Sequence, residues 1–383
     1  MEITLFYSKN QRKILLEAGL KPDMLYFLRG DRIPEDAWRR VNTKKLKMFP
    51  GIVDVLKEIE ETKRIIDPVV DDYVMTIENM ELRKIVEYIT KSPSWRERPL
   101  IMRLATIALG SNYTEEIIIA SAALELFEES AILLDDVIDE AEVCVGKDTA
   151  WRKYGINETF IAHGVITSLA RMTLLESCKK AKVGAEKTLE IMSSFEEIYH
   201  GDYVGQYMDI NSEKRIDFSE NDYFKMISKT PGSQFANALE IVCILTEKDE
   251  YKEDLKKFGR IFGMMAQLRD DIVDIIGDED VVHKKLLTDI LRKKKRLPLI
   301  LLLNEVPKYK DLFSKDSFTL EERLPEIVKV IHKNNILENC KSKIKNLAKK
   351  AVNQLRSIND SRQKWLLIQI IYMLANFDEK NNL

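Results

Sequence analysis

The chain has 383 residues, of which 45% are hydrophobic and 32% charged, with a formal net charge of −3. That length and apolar content can bury a large core, and the near-balanced charge gives no basis for nucleic acid or an anionic membrane as partner. No run of about 18 uncharged apolar residues is present to span a bilayer, and the start, Met-Glu-Ile-Thr-Leu-Phe-Tyr-Ser-Lys, lacks the charged-then-apolar order of a signal peptide, so a cytoplasmic location is expected.

Residues 1–50 are the most irregular part, broken at Gly19, Pro22, Gly30, Pro34 and Pro50, and read as an N-terminal extension, either a docking element or a lid. From Gly51 to residue 383 apolar residues recur at helical spacing, so this part reads as one nearly all-α domain. Interruptions are expected at 92–99, 111–114, 146–157, 211–221, 248–250, 277–288 and 307–320. Ser219 followed by Asp222 resembles an N-cap with an acidic third residue, opening a helix that carries Lys229. Pro231 predicts a break in that helix, because a proline disfavours helical geometry at the residue before it. Cys144, Cys178, Cys243 and Cys340 form no CxxC, and His163, His200, His283 and His332 form no HxxxH pair, so each is read as structural.

Two acidic clusters interrupt the apolar pattern: Asp135-Asp136-Val137-Ile138-Asp139 and Asp270-Asp271-Ile272-Val273-Asp274. In each, the first and last aspartates lie four residues apart and share one helix face. A solvated helix produces such a motif by chance, but these copies are flanked by Leu, Ile, Val and Met. Carboxylates crowded on an apolar wall repel one another and lose hydration, so they call for a counter-charge, for which hard oxygen ligands suit Mg²⁺.

Around these clusters the chain reads Ala131-Ile-Leu-Leu-Asp-Asp-Val-Ile-Asp-Glu and Phe262-Gly-Met-Met-Ala-Gln-Leu-Arg-Asp-Asp-Ile-Val-Asp. Further matches are Gly205-Gln206 with Asp209, Ser228-Lys229-Thr230, Gln267, Lys284, Asp289, Lys294 and Leu297-Pro298-Leu299. In this joint order, from about Ser92 to Pro298, the chain resembles the trans-isoprenyl diphosphate synthases of the polyprenyl synthetase family.

The resemblance implies an all-α, single-domain isoprenoid synthase-type bundle around a deep central cavity, acting as a homodimer. In that family three Mg²⁺ ions bridge the carboxylates to the diphosphate of an allylic substrate. Carried over, Asp135, Asp136, Asp139, Asp270, Asp271 and Asp274 would be the metal ligands. Lys229, Lys284, Lys294, Gln206, Gln267 and Arg98 would bind diphosphate. The Thr230 carbonyl would face the allylic cation left when diphosphate departs. Tyr199, Tyr203 and Tyr207 repeat every four residues, either as cation-stabilising faces or, more often for such a stripe, as core. Small Ser130 and Ala131 before Asp135, with Phe127 as a floor, predict a prenyl chain of about C15 to C20.

The departures concern the second diphosphate, that of isopentenyl diphosphate. Where the family has Gly-Gly-Lys-x-x-Arg-Pro, this chain has Pro93-Ser94-Trp95-Arg96-Glu97-Arg98-Pro99, which keeps Arg98 but loses the lysine. Glu128 stands where His or Gln is expected, Cys144-Val145 replaces an Arg pair, and Asn381 replaces a C-terminal Arg. Arg96, Lys91 and Arg152 are the neighbouring cations available to compensate. The expectation is Mg²⁺-dependent ionisation of an allylic diphosphate followed by prenyl transfer to an acceptor left open. The alternatives are a terpene synthase, with internal or water capture, and a non-catalytic partner subunit.

Overall fold

The computed structural model describes residues 52–92, 94–144, 146–276, 286–313 and 320–375. The predicted N-terminal extension, Lys284, Val145 and Asn381 lie outside the described residues. Helices dominate in chain order: α1 Ile52–Met75, α2 Met80–Thr90, α3 Glu97–Ala108, α4 Glu115–Ile138, α5 Ala150–Tyr154, α6 Ile156–Lys180, α7 Ala185–Lys214, α8 Glu220–Lys229, α9 Pro231–Leu245 and α10 Lys252–Ile276. They continue with α11 Thr288–Leu291, α12 Leu297–Glu305, α13 Tyr309–Phe313, α14 Leu324–Lys333, α15 Ile336–Gln354 and α16 Arg362–Ala375.

Helix α4 is apolar almost all round, and Ala120, Ala122, Ala123, Leu124, Leu126 and Phe127 are all buried, which makes it a central helix. It lies most extensively on α6 and is covered by α1 and α3. Helix α10 is the second central element, seated on α9 and α15. Gly259 and Gly263 of α10 allow that approach, since a Cβ at either would meet the backbone of Phe235 or Pro231. Each aspartate cluster sits at the C-terminal end of one of these two helices, where the helix dipole disfavours negative charge. On α4 the cost is offset by Arg292, which donates to the carbonyls of Ile138 and Asp139 at 2.9 and 2.7 Å.

Two local expectations are met. Ser219 and Asp222 form a reciprocal capping box, and α8 ends at Thr230 (φ −79°, ψ −104°) with Pro231 opening α9. The helical reading missed a small antiparallel hairpin, Val143–Cys144 against Lys147–Asp148, which turns through Gly146 at φ +71°.

Candidate active site

Asp135 and Asp136 close the last turn of α4, and neighbouring positions on a helix diverge by about 100°. They therefore face two different cavities. Asp135 lines one of about 200 Å³ with Ala131, Asp202, Gly205, Gln206, Thr230 and Gln267. Asp136 lines one of about 360 Å³ with Trp95, Lys147 and Asp270. Arg98, Glu128 and Ile132 border both cavities. Burial and the neighbouring Asp139 push the Asp135 carboxyl up to about 6, and burial with Asp135 pushes Asp136 up to about 7. Gln206 on α7 donates to Asp135.

On α10, Asp270 is exposed to its cavity while Asp271 and Asp274 are buried. Tyr223 and Gln267 donate to the two oxygens of Asp271 at 2.5 and 2.9 Å, and burial raises its carboxyl to about 6 against the pull of Arg296.

The two clusters are joined by a ladder of alternating charge. Lys294 reaches Asp139 at 2.6 Å and Asp209 at 2.9 Å. Arg296 takes Asp209 with two hydrogen bonds, reaches Asp289 at 3.1 Å, and lies 3.7 Å from Asp271. Burial opposes the charge on both cations, yet their surrounding carboxylates hold both pKa values above the usual range. Lys294 was expected near the diphosphate; Arg296, Arg292, Tyr223 and Asp202 were not foreseen. Asp209 matched the family pattern, but its partners lie more than 80 residues away and left no local signal.

Several expectations are revised by placement. Arg98, expected as a diphosphate ligand, is held by Glu128 at 2.7 Å and by Gln234, whose amide donates to Asp202 at 2.8 Å. The same pair answers the expected repulsion by Glu128, since each charge neutralises the other. Arg96 cannot compensate, because it is buried between Asp67, Glu125 and Glu129. Lys91 pairs with Glu87 and Arg152 with Glu142, and neither lines a cavity. Of the residues expected to set chain length, Ala131 lines the smaller cavity, and Phe127 and Ser130 line neither of the two. Phe127 is packed edge-on against Tyr199 at 4.7 Å, and Ser130 turns its hydroxyl onto the Phe127 carbonyl. Tyr199 is thus core, while Tyr203 and Tyr207 are 44% and 68% exposed. Lys229 ends α8 without lining either cavity. Thr230 does line the smaller cavity, but its carbonyl accepts from the Ser233 hydroxyl at 3.3 Å and the Gln234 amide at 3.4 Å.

Among the described residues no three His, Cys, Asp or Glu side chains converge as a ready-made cation site. The aspartates bordering the cavities nevertheless offer hard oxygen ligands, and the raised carboxyls of Asp135 and Asp136 are in the condition that a dication relieves. The donor set therefore fits Mg²⁺.

Residues 79–331 match the sequence profile of the polyprenyl synthetase family. The chain belongs to that family. Among its polyprenyl synthetase relatives, the geranylgeranyl diphosphate synthase of Methanosarcina mazei is 27% identical over 327 residues, covering 85% of this chain and 98% of the relative. The octaprenyl diphosphate synthase of Haemophilus influenzae is 24% identical, covering 83% and 97%. The fold is that of the geranylgeranyl pyrophosphate synthetase from Pyrococcus horikoshii, with a TM-score of 0.76 at 23% identity, covering 85% of this chain and 99% of that one. As expected from the sequence, it is the all-α isoprenoid synthase fold. Among the described residues no helix is long and apolar enough to cross a membrane.

Proposed function

We propose that this polyprenyl synthetase family member ionises an allylic prenyl diphosphate with Mg²⁺ and transfers the prenyl group. The supporting observation is that Asp136 of the first cluster and Asp270 of the second line one cavity, while Asp135 and Gln267 line its neighbour. Asp135, Asp136 and Asp270 would hold the metal, whose chemistry is to neutralise the charge that develops on the departing diphosphate. The chain's own contribution is to fix those carboxylates. Gln206 orients Asp135, Lys294 holds Asp139, and Tyr223 with Gln267 holds Asp271. Ala131, Ile132, Met226 and Ile227 supply the apolar part of the smaller cavity's lining, against which an allylic chain would lie.

We also assign a homodimer. Ile156, Phe160, Ile161 and Met172 on α6, with Leu189 and Tyr207 on α7, are each more than half exposed, a patch that a second copy would cover.

The test is diphosphate release by the purified protein from geranyl, farnesyl and geranylgeranyl diphosphates. Release that requires Mg²⁺ and falls on the order of 10²-fold or more in Asp135→Ala and Asp270→Ala is expected. Release at the native rate in both variants would overturn the assignment.

A further inference from the structure

A diphosphate seated beside Asp135 in the smaller cavity needs protein cations as well as metal to take up its charge. Of the lysines expected there, Lys284 lies outside the described residues, and neither Lys229 nor Lys294 borders the cavity. Arg296 does border it, together with Gln206, Thr230 and Gln267. Its side chain is 15% exposed where that of Lys294 is 2%.

Pairing holds this guanidinium in place without exhausting it. The group carries five N–H donors. Nη1 and Nη2 each give one to Asp209, at 2.9 and 3.2 Å, and Nε gives its own to Asp289 at 3.1 Å. Each terminal nitrogen therefore keeps one N–H beyond these bonds among the described residues, on a side chain that opens into the cavity. The surrounding carboxylates also keep it protonated.

The backbone fixes where Arg296 stands. It is extended (φ −70°, ψ 156°) immediately before the first turn of α12, where the positive end of the helix dipole adds to its charge. One residue earlier, Lys295 is 1% exposed and donates its backbone N–H to Ser212 Oγ at 3.1 Å. Its ammonium donates to the carbonyls of Ser212, Glu213 and Lys293 at 2.9, 3.3 and 2.6 Å. Lys295 thus closes the C-terminal end of α7 and pins the neighbouring Arg296 to it. A cation ordered before its ligand arrives gives up little freedom on binding.

We propose that Arg296 is a diphosphate-binding residue of this enzyme, donating its two remaining N–H groups to oxygens of the allylic diphosphate in the smaller cavity. This rests on the prenyl-diphosphate reading above. As the allylic C–O bond breaks, both bonding electrons leave on the diphosphate oxygen, and Arg296 offsets part of the charge that gathers there while keeping its own protons.

Two binding constants separate this role from scaffolding. Removing a cation from among carboxylates makes the site more negative, which favours Mg²⁺ and disfavours diphosphate, whereas a loosened scaffold weakens both. The experiment is calorimetric titration of the full-length protein with Mg²⁺ alone, then with inorganic diphosphate in saturating Mg²⁺. In Arg296→Met, diphosphate should bind about tenfold to a hundredfold more weakly, with Mg²⁺ held as tightly as in the native protein or more so. Arg296→Lys keeps the charge but not the planar fork, and should lose less. Unchanged diphosphate binding in Arg296→Met, or parallel weakening of Mg²⁺ and diphosphate, would overturn the proposal. Should that variant fail to fold, the native protein still decides. A crystal structure with Mg²⁺ and inorganic diphosphate should place a diphosphate oxygen within about 3.2 Å of Arg296 Nη1 or Nη2; diphosphate bound in the cavity without that contact would overturn the proposal. Diphosphate held at Arg296 with no release from geranyl, farnesyl or geranylgeranyl diphosphate would overturn the ionisation reading alone.

Discussion

Arg296 meets Asp209 fork to fork, at 2.9 and 3.2 Å, and the same guanidinium pairs with Asp289 and lies near Asp271 on α10. The two cluster helices are thereby tied in series, Asp139 to Lys294 to Asp209 to Arg296 to Asp271. Replacing Arg296 by Met leaves those carboxylates without it, and breaking a buried pair from one side costs about 3–5 kcal/mol. Urea denaturation of Arg296→Met should show a loss of that order. A loss below about 1 kcal/mol would mean that solvent or Lys294 already carries the compensation.

The pH dependence of stability follows from carboxyls raised by burial. Glu128 is pushed up to about 7 and Asp202 to about 6, so between about pH 5 and pH 7 the native state holds protons that the unfolded chain has released. Stability is therefore greatest at the acid side of that window and falls as pH rises through it, by about 1.4 kcal/mol for each tenfold by which folding tightens a group's hold on its proton. Urea midpoints measured without metal at pH 5, 6 and 7 should decline in that order. Glu128→Gln should flatten the decline, and a midpoint that climbs toward pH 7 would contradict the argument.

Gly263→Ala tests the junction of α8, α9 and α10. The added Cβ collides with the Pro231 carbonyl, which is backbone and has little room to yield. Overpacking of this kind costs about 1–3 kcal/mol, or a fall in Tm of about 1–2 °C per kcal/mol in a chain of this size. Calorimetry should find that loss. A thermal midpoint unchanged from the native protein would show that α10 can slide past α9.

The exposed patch on α6 and α7 predicts the oligomeric state. Phe160 is 65% exposed and its ring lies 6.5 Å from His163, which in turn contacts Tyr203 across the helix pair. Light scattering after gel filtration should give a dimer, and Phe160→Glu should weaken it by at least about tenfold, since it sets a charge in the apolar centre of the contact. A native protein that runs as a monomer at micromolar concentration would remove the assignment.

Much of this chain is legible without a structure, because helices are written in local spacing. The capping box at Ser219 and Asp222, the break before Pro231 and the two aspartate clusters each depend on residues within four positions of one another. Such signals survive in a linear reading, and they were enough to reach the fold and the family. The position-by-position comparison with the family pattern also singled out Trp95 and Glu128 as departures from it.

What the linear reading could not decide is which charges remain available. Arg98 looked like a surviving diphosphate ligand and Glu128 like a bare repulsive anion, yet they lie on α3 and α4 and cancel each other. Arg96, counted as a spare cation, is spent on three carboxylates, and Lys294 with Arg296 carries the link between the clusters through Asp209. Helical periodicity acts over a few residues, so sequence by itself determined the elements, their faces and the placing of the aspartates. Ion pairing and cavity lining act between residues tens to hundreds of positions apart, so only the tertiary structure decided which charges beside those aspartates are already paired.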